Sequence, residues 1–329
     1  MKLKYYEVDE EKILQEARKG RKIAIKMPEG LQPYAWQILN FLRENGINAT
    51  LLMESCYGAC DFTERKDFDR IICIGEAEMP YLRKVYTPPV SFVEPRYDFG
   101  KDFMEDVIPF LKGKRIGMAS ITPFIHKMDE CRKYLERKKY EILIGERGRR
   151  TAYNGQILGC DLSSATSIAS RVDEFLFIGD GFFHPIGLHI ATGKHVVVAN
   201  PIEKKIYDKE VERSAEKIIK KRYALMSAAM EAEKFGIIVT RKVGQHRFLL
   251  AKKMRKMVEK KGRKAFFVFM DNVDESINYL DFDCYISTAC PRIAMDDEAR
   301  YSKPVLTPVE AEIIMGEREW ENYQFDQIL

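Results

Sequence analysis

The stretch VDEFLFIGDG, residues 172–181, is a continuous apolar run of strand length that ends in glycine and aspartate. Two other stretches share this pattern, FDRIICIGEA at residues 68–77 and FDCYISTACP at residues 282–291. Each copy carries an aspartate near its start, and these are Asp69, Asp173 and Asp283. The chain therefore contains an internal repeat in three copies, and this repeat decides the fold.

The segments upstream of these stretches also share one order: strand, loop, amphipathic helix, short turn and second strand. They begin at Lys22, Arg115 and Phe235. Their strands are continuous apolar runs, which is typical of parallel sheets covered by helices on both faces. We therefore predict an α/β protein of three homologous parallel-sheet α/β domains, 1–105, 106–205 and 206–329, each with about four strands.

The connections between these elements predict where ligands bind. Right-handed crossovers place the carboxyl ends of all parallel strands of a domain on one edge, where loops gather ligands. We expect the three edges to face one shared cleft in a pseudo-threefold arrangement around a central cluster. The charged segment 207–236 predicts one long helix that carries the chain into the third domain.

Composition and charge exclude several classes of function. The net charge is +4, from 54 basic and 50 acidic residues, which is too small to predict nucleic-acid binding. Basic clusters at residues 147–150 and 220–222 are interpreted as solvated faces or a protein-docking rim. No stretch approaches the roughly 20 apolar residues of a membrane span, and the N-terminus does not resemble a signal peptide. We expect a cytoplasmic protein.

The cysteines divide into groups. An odd number, seven, scattered along a long chain argues against a disulfide framework. Cys73 and Cys284 fall inside apolar strands, and Cys131 falls on a predicted helix. These three are interpreted as core or packing thiols.

One cysteine in each predicted domain lies at the predicted ligand edge. Cys60 and Cys160 occupy corresponding loops before the aligned stretches, and Cys290 ends the third stretch. Small residues precede each of them, which lets a bulky group approach the backbone. Three converging thiolates suit iron–sulfur chemistry or a closed zinc site with a fourth ligand. Three unrelated thiols are the alternative that the pattern leaves open.

The stretch CYGAC, with Cys56 and Cys60, also suggests a local site. The CxxxCxxC loop of the common radical S-adenosylmethionine enzymes requires a cysteine at position 63, and this chain has Thr63. A cluster must therefore be assembled from distant domains. Three cysteine ligands leave one iron open, where a substrate or S-adenosylmethionine can bind.

Polar loops at strand ends are further candidates for ligand contacts. The loop GDGFFHP, residues 179–185, follows the repeated strand of the second domain. The loop MPEGL, residues 27–31, joins a strand to a helix whose N-terminus could bind a carboxylate. Arg292 directly follows Cys290 and Pro291 and could pair with a carboxylate. Ordinary turns and a surface ion pair are the alternatives for these features.

Several motifs in order carry a resemblance to a known family. They are PEGL, YGACD, NGQILGC, GDGFFHP followed by GL, ACPRI followed by aspartate, and KPVLTP followed by glutamate. Together they resemble the archaeal radical S-adenosylmethionine subunit of diphthamide synthesis, the 2-(3-amino-3-carboxypropyl)histidine synthases. The likeness spans residues 28–310.

The resemblance implies a homodimer in which Cys60, Cys160 and Cys290 hold a 4Fe-4S cluster, with no ligand role for Cys56. S-adenosylmethionine would bind the open iron, and an electron would break its bond from sulfur to the methionine Cγ. Methylthioadenosine would leave, and the 3-amino-3-carboxypropyl group would add to a histidine of translation elongation factor 2. This transferase reaction is the first step of diphthamide biosynthesis and needs an electron donor.

The predicted pocket for S-adenosylmethionine draws on the loops described above, and no catalytic residue beyond the cluster is predicted. Its residues are Glu29, Gly30, Asp180, Gly181, His184, Pro185 and Arg292. The basic rim would help to dock the protein substrate.

Two other functions are compatible with this pattern. Quinolinate synthase also has three domains with one cysteine each, and it would act as a 4Fe-4S dehydratase and condensing enzyme on small metabolites. A non-catalytic ligand-binding protein with core thiols is the third interpretation. The ordered motifs match the diphthamide family better than either.

Overall fold

The framework of the molecule consists of three sheets, each built on four parallel strands. The computed structural model describes residues 1–295 and 298–329. Counted from its own first strand, each sheet has the order 2-1-3-4. The predicted α/β fold with parallel sheets is thereby confirmed. The aspartates at positions 296 and 297, which follow ACPRI, lie outside the described residues. Within those residues, no helix combines the length and the apolar character that a membrane crossing requires.

The first sheet follows a short hairpin and one helix. These are β1 (Lys2–Leu3), β2 (Tyr6–Glu7) and α1 (Glu10–Ala17). The four parallel strands of the sheet are β3 (Ile23–Lys26), β4 (Ala49–Leu52), β5 (Arg70–Ile74) and β6 (Val90–Val93). Helix α2 (Ala35–Glu44) connects β3 to β4 and buries Ile38 and Leu42 in the core of this sheet.

The second sheet has the same order and one additional strand. Its strands are β7 (Arg115–Ser120), β8 (Glu141–Leu143), β9 (Glu174–Ile178), β10 (Val196–Asn200) and β11 (Lys205–Tyr207). The helices around it are α3 (Asp102–Val107), α4 (Met128–Arg137), α5 (Ser163–Thr166) and α6 (Phe183–Thr192). Strand β11 pairs antiparallel with β10. The pattern of continuous apolar runs did not predict this edge strand, because it is short and charged residues flank it.

The third sheet is reached through a long helix. That helix is α7 (Glu210–Ala229), which confirms the long helix predicted within 207–236. The strands of the sheet are β12 (Lys234–Val239), β13 (Lys264–Phe269), β14 (Cys284–Ser287) and β15 (Val305–Leu306). The helices that follow α7 are α8 (Phe248–Lys260), α9 (Pro291–Met295) and α10 (Pro308–Ile314). The domain boundaries at 105 and 205 stay a prediction.

The three aligned aspartates make the same contacts in all three sheets. In each case Oδ2 accepts hydrogen bonds of 2.8–3.0 Å from two consecutive backbone N–H groups at the start of the first strand. The donors are Arg21 and Lys22 for Asp69, Lys114 and Arg115 for Asp173, and Glu233 and Lys234 for Asp283. Each aspartate thus fixes the start of the third strand beside the start of the first, so that both run toward the same edge.

The C-terminal segment returns from the third sheet to the second. Phe325 packs into the apolar core beside the second sheet. Asp326 forms a salt bridge of 2.8 Å with Arg247, which directly precedes α8. The N–H of Ile328 donates to the carbonyl oxygen of Cys160 at 2.7 Å. This segment therefore holds two of the three sheets together.

The two basic clusters are only partly solvated, because the last arginine of each is buried. Arg150 and Arg222 are 3% and 1% exposed. Arg222 forms a salt bridge with the buried Glu310 and donates to the carbonyl oxygens of Ala294 and Val305. The interpretation as a solvated rim is wrong for these two arginines, since internal acceptors hold both guanidinium groups.

Candidate functional site

One cavity of about 890 Å³ lies where the carboxyl ends of strands from all three sheets meet. Cys60, Cys160 and Cys290 all line this cavity. Cys60 lies between β4 and β5, Cys160 precedes α5, and Cys290 follows β14. The structure therefore brings together the three cysteines that the sequence places at separate ligand edges.

The electrostatics of these thiols are coupled. Burial, followed by the charges of Cys160 and Cys290, raises the pKa of Cys60. Burial, followed by the charge of Cys160, raises the pKa of Cys290 to about 12. Within the described ranges, no three His, Cys, Asp or Glu side chains form a group suited to one metal ion. Cys60 and Cys160 are buried and Cys290 is half-buried. As thiolates, these three would need positive charge beside them, and a cationic iron–sulfur core is one source of it.

The loop that carries Cys60 is fixed through its neighbour Asp61. The Asp61 carboxylate accepts a hydrogen bond of 3.1 Å from the N–H of Tyr57 and forms a salt bridge of 2.6 Å with Lys242. Asp61 and Lys242 are both at most 5% exposed. The ammonium of Lys26 donates to the Asp61 carbonyl oxygen. These contacts hold the loop from the strand ends of two different sheets.

The segment after β12 crosses the Cys60 loop at close range. The N–H of Gly244 donates to the carbonyl oxygen of Cys60 at 3.1 Å. The side-chain amide of Gln245 donates to Sγ of Cys60 at 3.4 Å. A Cβ on residue 244 would lie 2.4 Å from both Cα and Cβ of Cys60. Only glycine fits this crossing.

Arg247 connects the other two cysteine loops. Its guanidinium donates to the carbonyl oxygens of Thr288 and Ala289, each at 2.9 Å, directly before Cys290. The same guanidinium pairs with Asp326, in the segment whose Ile328 N–H binds the Cys160 backbone. The third and second sheets thus meet through one arginine.

Arg150 lies inside the site. Its guanidinium donates to the hydroxyl of Tyr81 at 2.7 Å and to the carbonyl oxygen of Gly244 at 2.8 Å. In the described part of the chain, Nε of Arg150 is a buried donor without an acceptor. Burial lowers the pKa of Arg150, but the charges of Cys160, Tyr81 and Cys60 raise it overall.

Three of the residues predicted for the cofactor pocket line this cavity, namely Glu29, His184 and Arg292. Burial, followed by the charge of Arg292, lowers the pKa of His184 to about 3, so its imidazole is neutral at physiological pH. The guanidinium carbon of Arg292 lies 4.1 Å from the centre of the Phe183 ring. A neutral imidazole and a cation therefore face the same space.

The other four predicted pocket residues do not line this cavity. Asp180 accepts a hydrogen bond of 3.4 Å from the hydroxyl of Tyr6, and Pro185 is buried in the first turn of α6. Gly181 has a left-handed backbone with φ of 71°. Gly30 lies in an exposed turn, and nothing lies within 4 Å of the position that a Cβ would take there.

The remaining four cysteines are buried away from the cavity lining. Cys73 and Cys284 are fully buried strand residues and Cys131 packs in the core around α4, as predicted. Sγ of Cys56 lies 3.9 Å from Sγ of Cys73. At Gly159, the group that approaches the backbone is the Phe183 ring, which lies 2.1 Å from the position that a Cβ would take.

Several residues of the site were not predicted from the sequence. They are Glu76, Arg150, Lys242, Gly244, Gln245 and Arg247. Burial, followed by the charge of Asp61, raises the pKa of Glu76 to about 7. The repeat alignment could have found Glu76, because it occupies the position of Cys290 in its own copy. It could also have found the segment after β12, which corresponds to the MPEGL loop after β3.

The fold and cavity together define a class: an α/β protein with three repeated sheets and one cysteine from each on a shared cavity. A family model described as "Putative diphthamide synthesis protein" matches residues 27–324. A 2-(3-amino-3-carboxypropyl)histidine synthase from Pyrococcus horikoshii is 36% identical, over 98% of this chain and 94% of the relative. The chain belongs to the diphthamide synthesis family.

Further relatives and solved structures agree with this assignment. The synthase of the same name from Methanocaldococcus jannaschii is 26% identical, over 98% of this chain and 93% of the relative. A crystal structure of Dph2 from Pyrococcus horikoshii with a 4Fe-4S cluster superposes with a TM-score of 0.86 at 35% identity, covering 98% of this chain and 94% of that one. These matches favour the diphthamide family over quinolinate synthase.

Proposed function

We propose that this chain transfers the 3-amino-3-carboxypropyl group from S-adenosylmethionine to a histidine of translation elongation factor 2, the first step of diphthamide biosynthesis. Relatives from two organisms carry the name of this transferase. The observation that carries the proposal is the placement of Cys60, Cys160 and Cys290, from three sheets, on one cavity.

These three cysteines are proposed to hold a 4Fe-4S cluster, and the solved Dph2 structure from Pyrococcus horikoshii contains such a cluster. The site fits such a group in two respects. The charge of Cys160 raises the pKa of both Cys60 and Cys290, so the three thiols need a cationic partner to act as thiolate ligands, and the buried Nε of Arg150 needs an acceptor. When bound, the cluster supplies the electron that cleaves the sulfur–Cγ bond of S-adenosylmethionine.

The residues of the chain itself are proposed to bind and orient the donor. A cavity of about 890 Å³ lies within the range of small-molecule sites. Arg292 is proposed to bind the carboxylate of S-adenosylmethionine, and Glu29 to accept a hydrogen bond from its ammonium group, because both residues line the cavity. His184, which stays neutral, offers a hydrogen bond without adding charge. The proposed role of the remaining predicted residues is limited to shaping the loops that carry Glu29 and His184. These residues are Gly30, Asp180, Gly181 and Pro185.

The partners follow from the reaction and the family resemblance. We propose elongation factor 2 as protein substrate, a homodimer as the working form, and an external one-electron donor. Because the acceptor is a translation factor, the reaction belongs in the cytoplasm.

Cluster reconstitution on alanine variants of all seven cysteines tests the ligand assignment. We expect Cys60→Ala, Cys160→Ala and Cys290→Ala to lose the visible absorbance of the cluster. The variants at Cys56, Cys73, Cys131 and Cys284 are the matched controls and should keep it. Loss in Cys56→Ala together with retention in Cys290→Ala would defeat the assignment.

Turnover distinguishes the proposed reaction from its alternative. Reconstituted protein with dithionite, S-adenosylmethionine and elongation factor 2 should release methylthioadenosine and add one aminocarboxypropyl group to a histidine of the factor. Formation of quinolinate from small precursors, without modified factor, would support the other enzyme class. Protein that takes up no iron or sulfide contradicts both.

A further inference from the structure

Arg150 is a buried cation whose hydrogen-bond acceptors are neutral. It is 3% exposed, and its guanidinium donates to the Tyr81 hydroxyl and the Gly244 carbonyl oxygen. In the described part of the chain, no carboxylate lies within salt-bridge distance of it. A buried charge needs a counter-charge, so the negative groups nearest to Arg150 decide its role.

The groups near Arg150 that become negative when they bind a metal cluster are the thiols of Cys160 and Cys60. Attraction to Cys160 is the largest effect that raises the pKa of Arg150 against burial, and Cys60 contributes as well. In return, Arg150 opposes the burial that raises the pKa of Cys160. Arg247 also lies near these thiols, but its charge is paired with Asp326 at 2.8 Å. Of the two cations that lower the pKa of Cys160, Arg150 is thus the one without a carboxylate partner among the described residues.

Gln245 adds a second donor to the same group of sulfurs. Its side chain is buried, and Nε2 lies 3.4 Å from Sγ of Cys60. The preceding residue, Gly244, accepts the hydrogen bond from Arg150 at 2.8 Å. One short segment after β12 thus holds the guanidinium of Arg150 through the Gly244 carbonyl and places the amide of Gln245 against Cys60.

We propose that Arg150 and Gln245 are positioning residues that raise the reduction potential of the cluster held by Cys60, Cys160 and Cys290. This inference rests on the proposed function, because it requires that cluster. A positive charge and an N–H donor beside ligand sulfurs stabilise the reduced state, which carries one more negative charge. The step concerned is the uptake of one electron from an external reductant, with no bond or proton transferred.

Midpoint potentials of reconstituted variants test this inference. The potential is measured by titration with dithionite, followed by electron paramagnetic resonance of the reduced protein. We expect Arg150→Gln to shift the potential to a more negative value and Arg150→Lys, which keeps the charge, to shift it less. Gln245→Leu should give a smaller negative shift. Arg149→Gln is the matched control, because Arg149 is the exposed neighbour and its removal should leave the potential unchanged.

The outcomes separate this inference from the proposed function. Wild-type protein that takes up no cluster overturns both. If the wild-type protein binds the cluster and Arg150→Gln has the same midpoint potential, only the inference is overturned. An equal shift of the potential in Arg150→Lys and Arg150→Gln also overturns only the inference. If Arg150→Gln retains no iron, Gln245→Leu decides: a more negative potential supports the inference, and an unchanged one overturns it.

Discussion

At the scale of single residues, the site depends on how closely backbone segments approach one another. Gly244 and Cys60 lie in loops that follow strands of different sheets, yet their backbones are joined by a hydrogen bond. The hydrogen bond between them, 3.1 Å from N–H to carbonyl oxygen, fixes their separation. The position of the Cys60 thiol is therefore set by a residue 184 positions away in sequence, and any side chain at 244 must move it.

Gly244→Ala should displace Cys60 and impair iron uptake. A Cβ at residue 244 would lie 2.4 Å from Cα and Cβ of Cys60, so one backbone must shift. Overpacking of this kind costs about 1–3 kcal/mol of unfolding free energy. Urea unfolding and cluster absorbance after reconstitution measure the two effects. Gly100→Ala is the control, since nothing lies within 4 Å of its Cβ position. Equal iron uptake by the two variants would contradict this account of the site.

At the scale of elements, the sequence predicts the strands and contacts that recur in all three sheets. It does not predict the contacts that are formed in only one place. Strand positions and the aligned aspartates were predictable, because the same short pattern serves the same role in each sheet. The partners of Arg150 and Arg222 were not, since each joins segments more than 60 residues apart without a local pattern. Basic residues are usually exposed to solvent, and both arginines were therefore interpreted as exposed. Only the packing of helices and loops reveals which member of a basic run is buried.

Helix α7 should depend on the salt bridge between Arg222 and Glu310. Nε of Arg222 lies 2.7 Å from Oε1 of Glu310, and both side chains are at most 1% exposed. Arg222→Met leaves the carboxylate of Glu310 buried and unpaired, which costs about 3–5 kcal/mol. The free energy of unfolding in urea measures this loss. Arg213→Met on the exposed side of the same helix should change it little.

A double variant distinguishes the charge from the shape of the side chain. Arg222→Met combined with Glu310→Gln removes the buried charge and keeps the volume, so it should recover part of the stability lost in Arg222→Met alone. Glu310 also accepts a hydrogen bond of 2.7 Å from the N–H of Thr307 at the start of α10, which an amide oxygen can retain. No recovery in the double variant would show that packing, rather than the unpaired charge, explains the loss.

At the scale of the whole molecule, three similar sheets form one site only if they are held against each other. The repeat predicts three equivalent edges, and the shared cavity shows them together. What joins the edges is not repeated: the Gly244 crossing, the Arg247 contacts and the C-terminal segment each occur once. Sequence reasoning therefore predicted the three cysteines but could not predict the contacts that bring them together.

Removal of residues 324–329 should weaken the contact between the second and third sheets and expose Cys160. The deletion removes the buried Phe325, the Asp326 partner of Arg247, and the Ile328 N–H that binds the Cys160 backbone. Loss of one buried phenylalanine alone costs about 3–5 kcal/mol of unfolding free energy. We expect a lower urea midpoint and faster alkylation of Cys160, which is 7% exposed in the intact chain. Deletion of Leu329 alone is the control, because that residue is 72% exposed. If both deletions alkylate Cys160 at the wild-type rate, the segment does not shield the site, and the cohesion of the sheets must come from Arg247 and the Gly244 crossing instead.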